Sequence, residues 1–143
     1  MLWQISETGY LNKGVISEHH KRTIYSVSWC KGEVTTPSGS KKEINLIASG
    51  GADNKIMCYE VNKESLMQKD SQCFSFNILS EKVDAHENDV NCVAFNPKNP
   101  LVLASCSDDG FVKIWLVTFA LTQVSLEGNN YSTVGAQLPQ LSS

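Results

Sequence analysis

Hydrophobic and polar positions alternate most regularly in residues 85–115, which read AHENDVNCVAFNPKNPLVLASCSDDGFVKIW. Residues 90–95 and 111–115 both alternate with a period of two, which is typical of strands that bury one face. An Asn-Pro turn and the Asp109-Gly110 pair separate the apolar segments, and Asp-Gly between such segments is a strong hairpin signal. This stretch therefore predicts three strands joined by two turns.

A second stretch of the chain has the same arrangement. Residues 22–29 alternate with a period of two, and residues 46–59 read as a strand, a tight turn at Asp53-Asn54 and a further strand. Residues 72–79 also alternate and predict an outer strand with one dry face. Two similar groups of strands thus follow one another along the chain.

Hydrophilic segments separate these strands and predict surface loops. Residues 31–45 contain Pro37, Gly39 and two adjacent lysines, and residues 61–71 are charged and without glycine. Residues 4–14 are polar and follow Leu2-Trp3, which resembles the end of a strand. We expect all three segments to be loops.

Alignment of the chain with itself indicates a repeat. A shift of 66 residues places His20 on His86, and a shift of 56 residues places Ser49 on Ser105. The first unit is therefore ten residues longer, and the extra residues fall in the segment 31–45.

Units of this kind resemble WD40 repeats, which have about 40 to 45 residues, four strands, a His before the first strand and a Trp-type residue closing the third. The resemblance implies an all-β fold: a partial WD40 β-propeller of about two four-stranded antiparallel blades and a remnant of a third. We expect residues 1–16 to be that remnant with its loop, 17–79 a repeat with long loops, 80–121 a second repeat and 122–143 a disordered tail.

The same resemblance implies a structural tetrad in each repeat, in which a hydrogen-bonded chain runs from Trp to Ser to His to Asp. In the second repeat the matching residues are His86, Ser105, Asp109 and Trp115. In the first repeat they are His20, Ser49, Asp53 and Tyr59. Tyrosine keeps a polar tip but has a different reach from tryptophan, so the first tetrad departs from the pattern.

Three segments, RTIYSVSWC, AHENDVNCVAFNPKNP and LASCSDDG, are similar to the last two blades of the WD40 proteins of cytosolic iron-sulfur assembly. The resemblance implies a non-enzymatic protein-interaction scaffold, cytoplasmic and also nuclear, that helps deliver iron-sulfur clusters to cytosolic and nuclear apoproteins. Its partners would be other targeting factors and the client apoproteins. A general WD40 adaptor in a signalling or ubiquitin-ligase complex is the alternative, and an enzyme is the weakest hypothesis.

Charge and composition narrow the partners further. The formal charge is −3, from 12 basic and 15 acidic residues without a block of either sign. This pattern argues against nucleic acid and against a membrane surface as partners. No secretory signal opens the chain, and its five cysteines include no CxxC pair, which favours a reduced intracellular protein.

Residue types that carry chemistry are present, but their spacing favours structural roles. Iron-sulfur clusters need several converging thiolates, and only Cys92 and Cys106 are predicted to be neighbours. His86, Ser105 and Asp109 imitate a catalytic set, yet no nucleophile-elbow sequence surrounds the serine. We therefore expect no catalytic residue, no metal site and no cofactor.

The loops before the first strand and after the second emerge on one rim of a propeller, where partners could bind. Exposed Arg and Tyr are favoured at interface hot spots. The residues expected on this rim are Arg22, Tyr25, Asn54, Glu87, Asp89, Asn91 and Asp108.

Two repeats do not close a ring, since propellers typically have 4 to 8 blades. Each blade covers its faces with its neighbours, so two blades leave two faces bare. We expect a chain of this kind to be marginally stable or to associate, and residues 116–126 to supply an outer strand or remain loose.

Overall fold

The computed structural model describes residues 1–7, 9–36, 38–67 and 74–118. Its strands form three antiparallel sheets in the orders β1-β2, β3-β4-β5-β6 and β7-β8-β9. The expected all-β fold with antiparallel blades is confirmed. Within the described ranges the elements are β1 (Leu2–Ser6), β2 (Gly9–Gly14), β3 (Ile24–Thr35), β4 (Lys41–Gly51), β5 (Ile56–Val61), α1 (Lys63–Met67), β6 (Phe76–Lys82), β7 (Val90–Phe95), β8 (Val102–Ser107) and β9 (Val112–Leu116).

The prediction of a long loop over residues 31–45 is wrong, because β3 and β4 continue through it as one hairpin. Their ladder begins with Ile24 opposite Gly51 and continues through this segment to Thr35 opposite Lys41. Val34 is half-buried against the core, and Gly32 lies so close to Pro100 that a Cβ there would be 2.5 Å from its Cγ. Charged residues alternate with these inward positions, which hides the strand pattern in the sequence.

Residues 4–14 also differ from the loop that we expected. They form most of the hairpin β1-β2, with Trp3 opposite Asn12 and Ile5 opposite Tyr10. Trp3, Ile5 and Tyr10 are exposed, so this hairpin has an open apolar face.

The segment 61–71, predicted as a loop, contains the end of β5 and the short helix α1. The Asn62 side chain caps this helix by accepting a hydrogen bond from the Glu64 amide at 2.8 Å. The outer strand predicted at residues 72–79 lies at Phe76–Lys82 instead, paired with β5. Residues 68–73, including Cys73, lie outside the described part of the chain.

The main core lies between the first blade, β3–β6, and the second blade, β7–β9. Backbone amides of Val93 and Phe95 donate to the hydroxyls of Ser26 and Ser28, both at 3.1 Å, and so join the two innermost strands. The buried residues of this core are Ile44, Leu46, Ala48, Ile56, Cys58, Ala85, Val90, Val93, Leu103, Trp115 and Val117.

The two outward faces of this pair of blades differ. The outer face of the first blade carries a second cluster, Ile47, Met57, Tyr59, Val61 and Phe74, against which Leu2 and Ile16 pack. On the second blade Val112, Ile114 and Leu116 are exposed along β9. Most of the predicted outer strand at 116–126 and all of the predicted tail at 122–143 lie outside the described residues.

Candidate functional site

The second repeat holds a buried chain of hydrogen bonds that links the loop before β7 to the central strands of the blade. The His86 ring lies 2.8 Å from Asp109 through Nδ1 and 2.7 Å from Ser105 Oγ through Nε2. Trp115 Nε1 donates to the same Ser105 oxygen at 2.8 Å. One assignment satisfies every group: Nδ1–H donates to the carboxylate, and the serine hydroxyl donates to Nε2 while accepting from the indole.

Asp109 is held as a carboxylate by several donors. Burial by itself would raise its pKa, but the amides of Phe111 and Glu87 and the His86 ring all donate to it and lower the pKa to about 2. The Phe111 and Glu87 amides lie 3.0 Å from its two oxygens. This carboxylate therefore ties the loop before β7 to the β8–β9 turn.

The first repeat has the equivalent contacts. His20 lies 2.9 Å from Asp53 through Nδ1 and 2.8 Å from Ser49 through Nε2, and the Lys21 amide donates to Asp53 at 2.9 Å. Burial raises the pKa of Asp53, but the bonds from His20 and Lys21 outweigh it and the net pKa is lowered. The same loop and turn are joined in both repeats.

Tyr59 occupies the position of the closing tryptophan in the first repeat. Burial raises the pKa of its hydroxyl, and hydrogen bonding with Ser49 partly offsets this. Its ring packs against His19 and Phe76, with centroid separations of 5.6 Å and 5.7 Å. Aromatic contacts thus surround the residue that replaces tryptophan.

The geometry of these networks suits a structural role, in which they hold loops and strands together, rather than catalysis. Ser105 and Ser49 are only 2% and 5% exposed, whereas a nucleophilic serine must be accessible to substrate. Both ring nitrogens of His86 are bonded within the network. The sequence-predicted tetrad residues are thus brought together in both repeats, and their stabilising role stays a prediction.

Metal-binding residues do not converge within the described ranges. No group of three or more His, Cys, Asp or Glu side chains is placed there to hold an ion. Cys92 and Cys106 face each other across β7 and β8, and both are free thiols. No helix among the described residues is long and apolar enough to cross a membrane.

The residues predicted on the rim form two linked groups at the boundary between the blades. The Tyr25 hydroxyl donates to Asp89, and this hydrogen bond is the main reason why the pKa of Tyr25 is raised. Asn91 Nδ2 donates to Asp108 at 2.6 Å. Asp108 and Arg22 also act on Tyr25 electrostatically, so these five residues share one surface.

The second group connects the turn of the first repeat to the loop before β7. Asn54 Nδ2 donates to the Glu87 carbonyl oxygen at 3.4 Å, and Asn54 adopts a left-handed backbone with φ 58°. Arg22 is held by a bond from Nη1 to the Ala52 carbonyl oxygen at 3.0 Å. The rim residues of both repeats are therefore fixed against each other.

Sequence reasoning missed residues that join or interrupt the blades. Ser26 and Ser28 bridge to β7, and Lys113 Nζ donates to the Ala85 carbonyl oxygen at 2.8 Å. Asn45, placed in the predicted loop, is buried in β4. Self-alignment places Asn45 on Leu101, which was the available signal for an unusual polar position.

Comparison with known proteins agrees with this geometry. Residues 78–115 match the family model "WD domain, G-beta repeat". "Probable cytosolic iron-sulfur protein assembly protein CIAO1" of Homo sapiens is 38% identical over 102 residues, which is 70% of this chain and 25% of the human protein. The chain resembles the WD40 proteins of cytosolic iron-sulfur assembly. The resemblance expected from the sequence motifs is confirmed.

Two further relatives among these WD40 proteins extend the comparison. "Probable cytosolic iron-sulfur protein assembly protein CIAO1 homolog" of Dictyostelium discoideum is 35% identical over 106 residues, covering 74% of this chain and 27% of its own length. "Protein CIA1" of Arabidopsis thaliana is 40% identical over 101 residues, covering 70% and 24%. The chain spans about a quarter of the length of the curated relatives it matches.

Proposed function

We propose that this chain is a non-enzymatic protein-interaction scaffold in cytosolic iron-sulfur protein assembly. The observation that carries the proposal is that the polar residues are of two kinds, buried ones bonded to each other and others at the surface. The His, Ser and Asp side chains that could do chemistry are buried and bonded to each other, while five of the seven rim residues are exposed and Asn54 and Asp89 are half-buried. The names of the relatives point to iron-sulfur protein assembly, and the word cytosolic in those names supports a cytoplasmic location. The proposed location also includes the nucleus.

The rim is the proposed contact surface. Tyr25 is 51% exposed, and its hydroxyl donates to the carboxylate of Asp89. A partly exposed aromatic ring whose hydroxyl bonds to Asp89 loses little conformational entropy on binding, so it is suited to anchor a partner. Because the rim spans both repeats, a partner bound there would contact both blades at once.

The proposed partners are other iron-sulfur targeting factors and the apoproteins that receive clusters. The chain would position these proteins and would itself hold neither metal nor cluster. Nucleic acid and membranes are not among the proposed partners, consistent with the mixed surface charge.

Affinity purification of the full chain from a eukaryotic cytosolic extract, followed by mass spectrometry, tests the proposal. We expect iron-sulfur targeting factors to be enriched over a control purification with an unrelated WD40 protein. Recovery of a signalling or ubiquitin-ligase complex without those factors would contradict the proposal and favour the general adaptor. Stoichiometric iron and sulfide after anaerobic reconstitution would contradict the statement that the chain binds proteins and not clusters.

A further inference from the structure

Cys92 and Cys106 are two facing thiols on the open face of the second blade. They are direct partners in the ladder between β7 and β8, so their side chains leave the same face of the sheet. Both thiols are free; Cys92 is exposed and Cys106 is half-buried. The contacts of Cys92 Sγ with Ser26 Oγ and the Val93 carbonyl oxygen are 3.8 Å long and weak, so this thiol can rotate towards its partner. Val112, opposite Cys106 on β9, is 70% exposed, so small molecules can reach the pair.

The hydrogen bonds of β7 indicate the distance between these cysteines. The Val93 amide donates to Ser26 Oγ of the first blade at 3.1 Å, so it points away from β8. Because amides alternate in direction along a strand, the Cys92 amide points towards β8 and makes Cys92 and Cys106 a hydrogen-bonded pair. Such pairs have Cα atoms about 5.5 Å apart, within the range of about 4.4 to 6.8 Å found in disulfides. The two strands can therefore be bridged with little movement of the backbone.

The first blade has no thiols at the equivalent positions. Ser26 lies opposite Gly50 there, and the second blade packs directly onto this place. A Cβ at Gly50 would lie 2.6 Å from Val90 Cγ1, so the close approach of β7 requires a residue without a side chain. A blade packed equally closely on the second blade would collide with Cys106. Close packing of blades therefore does not account for the thiol pair.

Two other cysteines of the described ranges differ from this pair in both distance and reactivity. Cys30 and Cys58 lie on β3 and β5, which are separated by β4, so their Cα atoms are about 9.5 Å apart or more. Disulfides do not bridge Cα atoms more than about 7 Å apart. Burial raises the pKa of both thiols, that of Cys58 to about 11, so they stay protonated and react slowly. The chain thus contains its own unreactive control pair.

We propose that Cys92 and Cys106 are an oxidative modification site, at which a small disulfide such as oxidised glutathione converts the two thiols into a disulfide between β7 and β8. The more exposed thiolate, that of Cys92, attacks one sulfur of the small disulfide, whose S–S bond breaks and releases one thiolate. The Cys106 thiolate then attacks the Cys92 sulfur and displaces the second small thiolate. Two protein thiols are oxidised, one small disulfide is reduced to two thiols, and the protons of the two cysteines go to these products.

The bridge is expected to be reversible. Facing residues of antiparallel strands have Cβ atoms about 4.5 to 5.5 Å apart, whereas disulfides hold them about 3.5 to 4.5 Å apart, so closing the bridge strains the hairpin. Strained and exposed disulfides are easily reduced, and intracellular disulfides are usually transient. An excess of reduced glutathione should therefore restore both thiols. The site lies on the open face of the second blade and does not depend on the function of the rim.

Incubation of the folded full chain with oxidised glutathione, followed by alkylation of the remaining thiols and tryptic mass spectrometry, tests the site. Trypsin cleaves after Lys98, between the two cysteines, so a bridge joins two peptides that otherwise separate. We expect the Cys92–Cys106 bridge to be about tenfold more abundant than any other linked pair, while Cys30 and Cys58 are alkylated. Absence of this bridge, glutathione retained on Cys92, or a more abundant bridge to another cysteine would overturn the proposal.

Two conservative variants separate the two steps. Cys106→Ser removes the second attacking thiol, so Cys92 should retain one glutathione instead of forming a bridge. In Cys92→Ser the remaining thiol, Cys106, is less exposed and should gain glutathione about tenfold more slowly. An unmodified Cys92 in Cys106→Ser, or equally fast reaction of the two variants, would overturn the proposed reaction.

Discussion

The two repeats build the same polar network but close it with different aromatic residues. In the second repeat Trp115 donates to Ser105, and the His86 and Asp109 side chains are 0% and 2% exposed. In the first repeat the corresponding His20 and Asp53 side chains are 3% and 8% exposed, and Tyr59 packs among aromatic rings. The His–Ser and His–Asp contacts are thus retained when the indole is replaced.

The repeats also differ in which faces they cover. Ile56 and Cys58 of the first blade are buried against the second, whereas their equivalents Val112 and Ile114 are exposed. The same strand pattern therefore produces a covered face in one repeat and an open face in the other. What surrounds a blade, rather than its own sequence pattern, decides whether that face is buried.

The largest difference between the repeats should appear when the two histidines are removed. His86→Ala leaves Ser105 and Asp109 buried without that partner and should lower the free energy of unfolding by about 3 kcal/mol. His20→Ala should cost about 2 kcal/mol, because the His20 and Asp53 side chains are more exposed than those of His86 and Asp109. Denaturant unfolding measures both, and equal small losses would contradict a fastening role.

A smaller effect is expected where the blades meet most closely. A Cβ at Gly50 would lie 2.6 Å from Val90 Cγ1 and 3.1 Å from Val93 Cγ1. Gly50→Ala should therefore push β7 away and cost about 2 kcal/mol. The matched change Cys106→Ala, at the equivalent position on the open face, should cost less than about 1 kcal/mol. Similar melting temperatures for the two variants would argue against this packing of the blades.

The closing aromatic residues should differ by less. Trp115→Phe removes the donor to Ser105 and some volume, and should cost about 1.5 kcal/mol. Tyr59→Phe keeps the ring contacts with His19 and Phe76 and should cost less than about 1 kcal/mol. Chemical unfolding of both variants measures the difference in the free energy of unfolding. A larger loss from Tyr59→Phe than from Trp115→Phe would mean that the tyrosine hydroxyl stabilises the first network more than the indole stabilises the second.

Acid should affect the second repeat only at low pH. The pKa of Asp109 in the folded chain is about 2, below the value of about 3.9 for an unfolded aspartate. Its stabilisation is therefore present above about pH 4 and is lost as the pH falls towards 2. In Asp109→Asn the unfolding midpoint should therefore fall less steeply as the pH is lowered. In Asp53→Asn, Asp109 is still present, so part of that fall should remain. An unchanged acid profile for Asp109→Asn would contradict the lowered pKa.

The strands of the second repeat could be predicted because their apolar alternation is undisturbed and Asp109-Gly110 marks the turn. The β3-β4 extension could not, because its inward positions include Gly32 and its outward ones are charged. Alternation remains there as a period of two, but Val34 and Ile44 are its only aliphatic side chains, so the segment resembles a loop. The short hairpin β1-β2 was missed because its few apolar residues, among them Trp3, Ile5 and Tyr10, are too sparse among polar residues and glycines to show a clear alternation.

Some polar residues of the site could likewise be predicted from the sequence, and others could not. The tetrad positions could be found because a repeat places His, Ser and Asp at fixed shifts, and the structure brings them within hydrogen-bond distance. The lack of a hydrogen-bond partner for Asn45 Oδ1 among the described residues could not be predicted, because whether a buried group has a hydrogen-bond partner depends on neighbours from β5 and α1. Contacts between Tyr25 and Asp89 likewise depend on how two blades meet.

Recovery of iron-sulfur assembly proteins by rim variants of the full chain tests the separation between buried fasteners and an exposed binding surface. Tyr25→Ala removes the rim's aromatic side chain, and Tyr10→Ala, at an exposed tyrosine of β2, is the matched control. Quantitative mass spectrometry should find recovery reduced about tenfold for Tyr25→Ala and unchanged for Tyr10→Ala, with both chains melting as the original. Equal recovery by all three folded chains would contradict the rim as the binding surface.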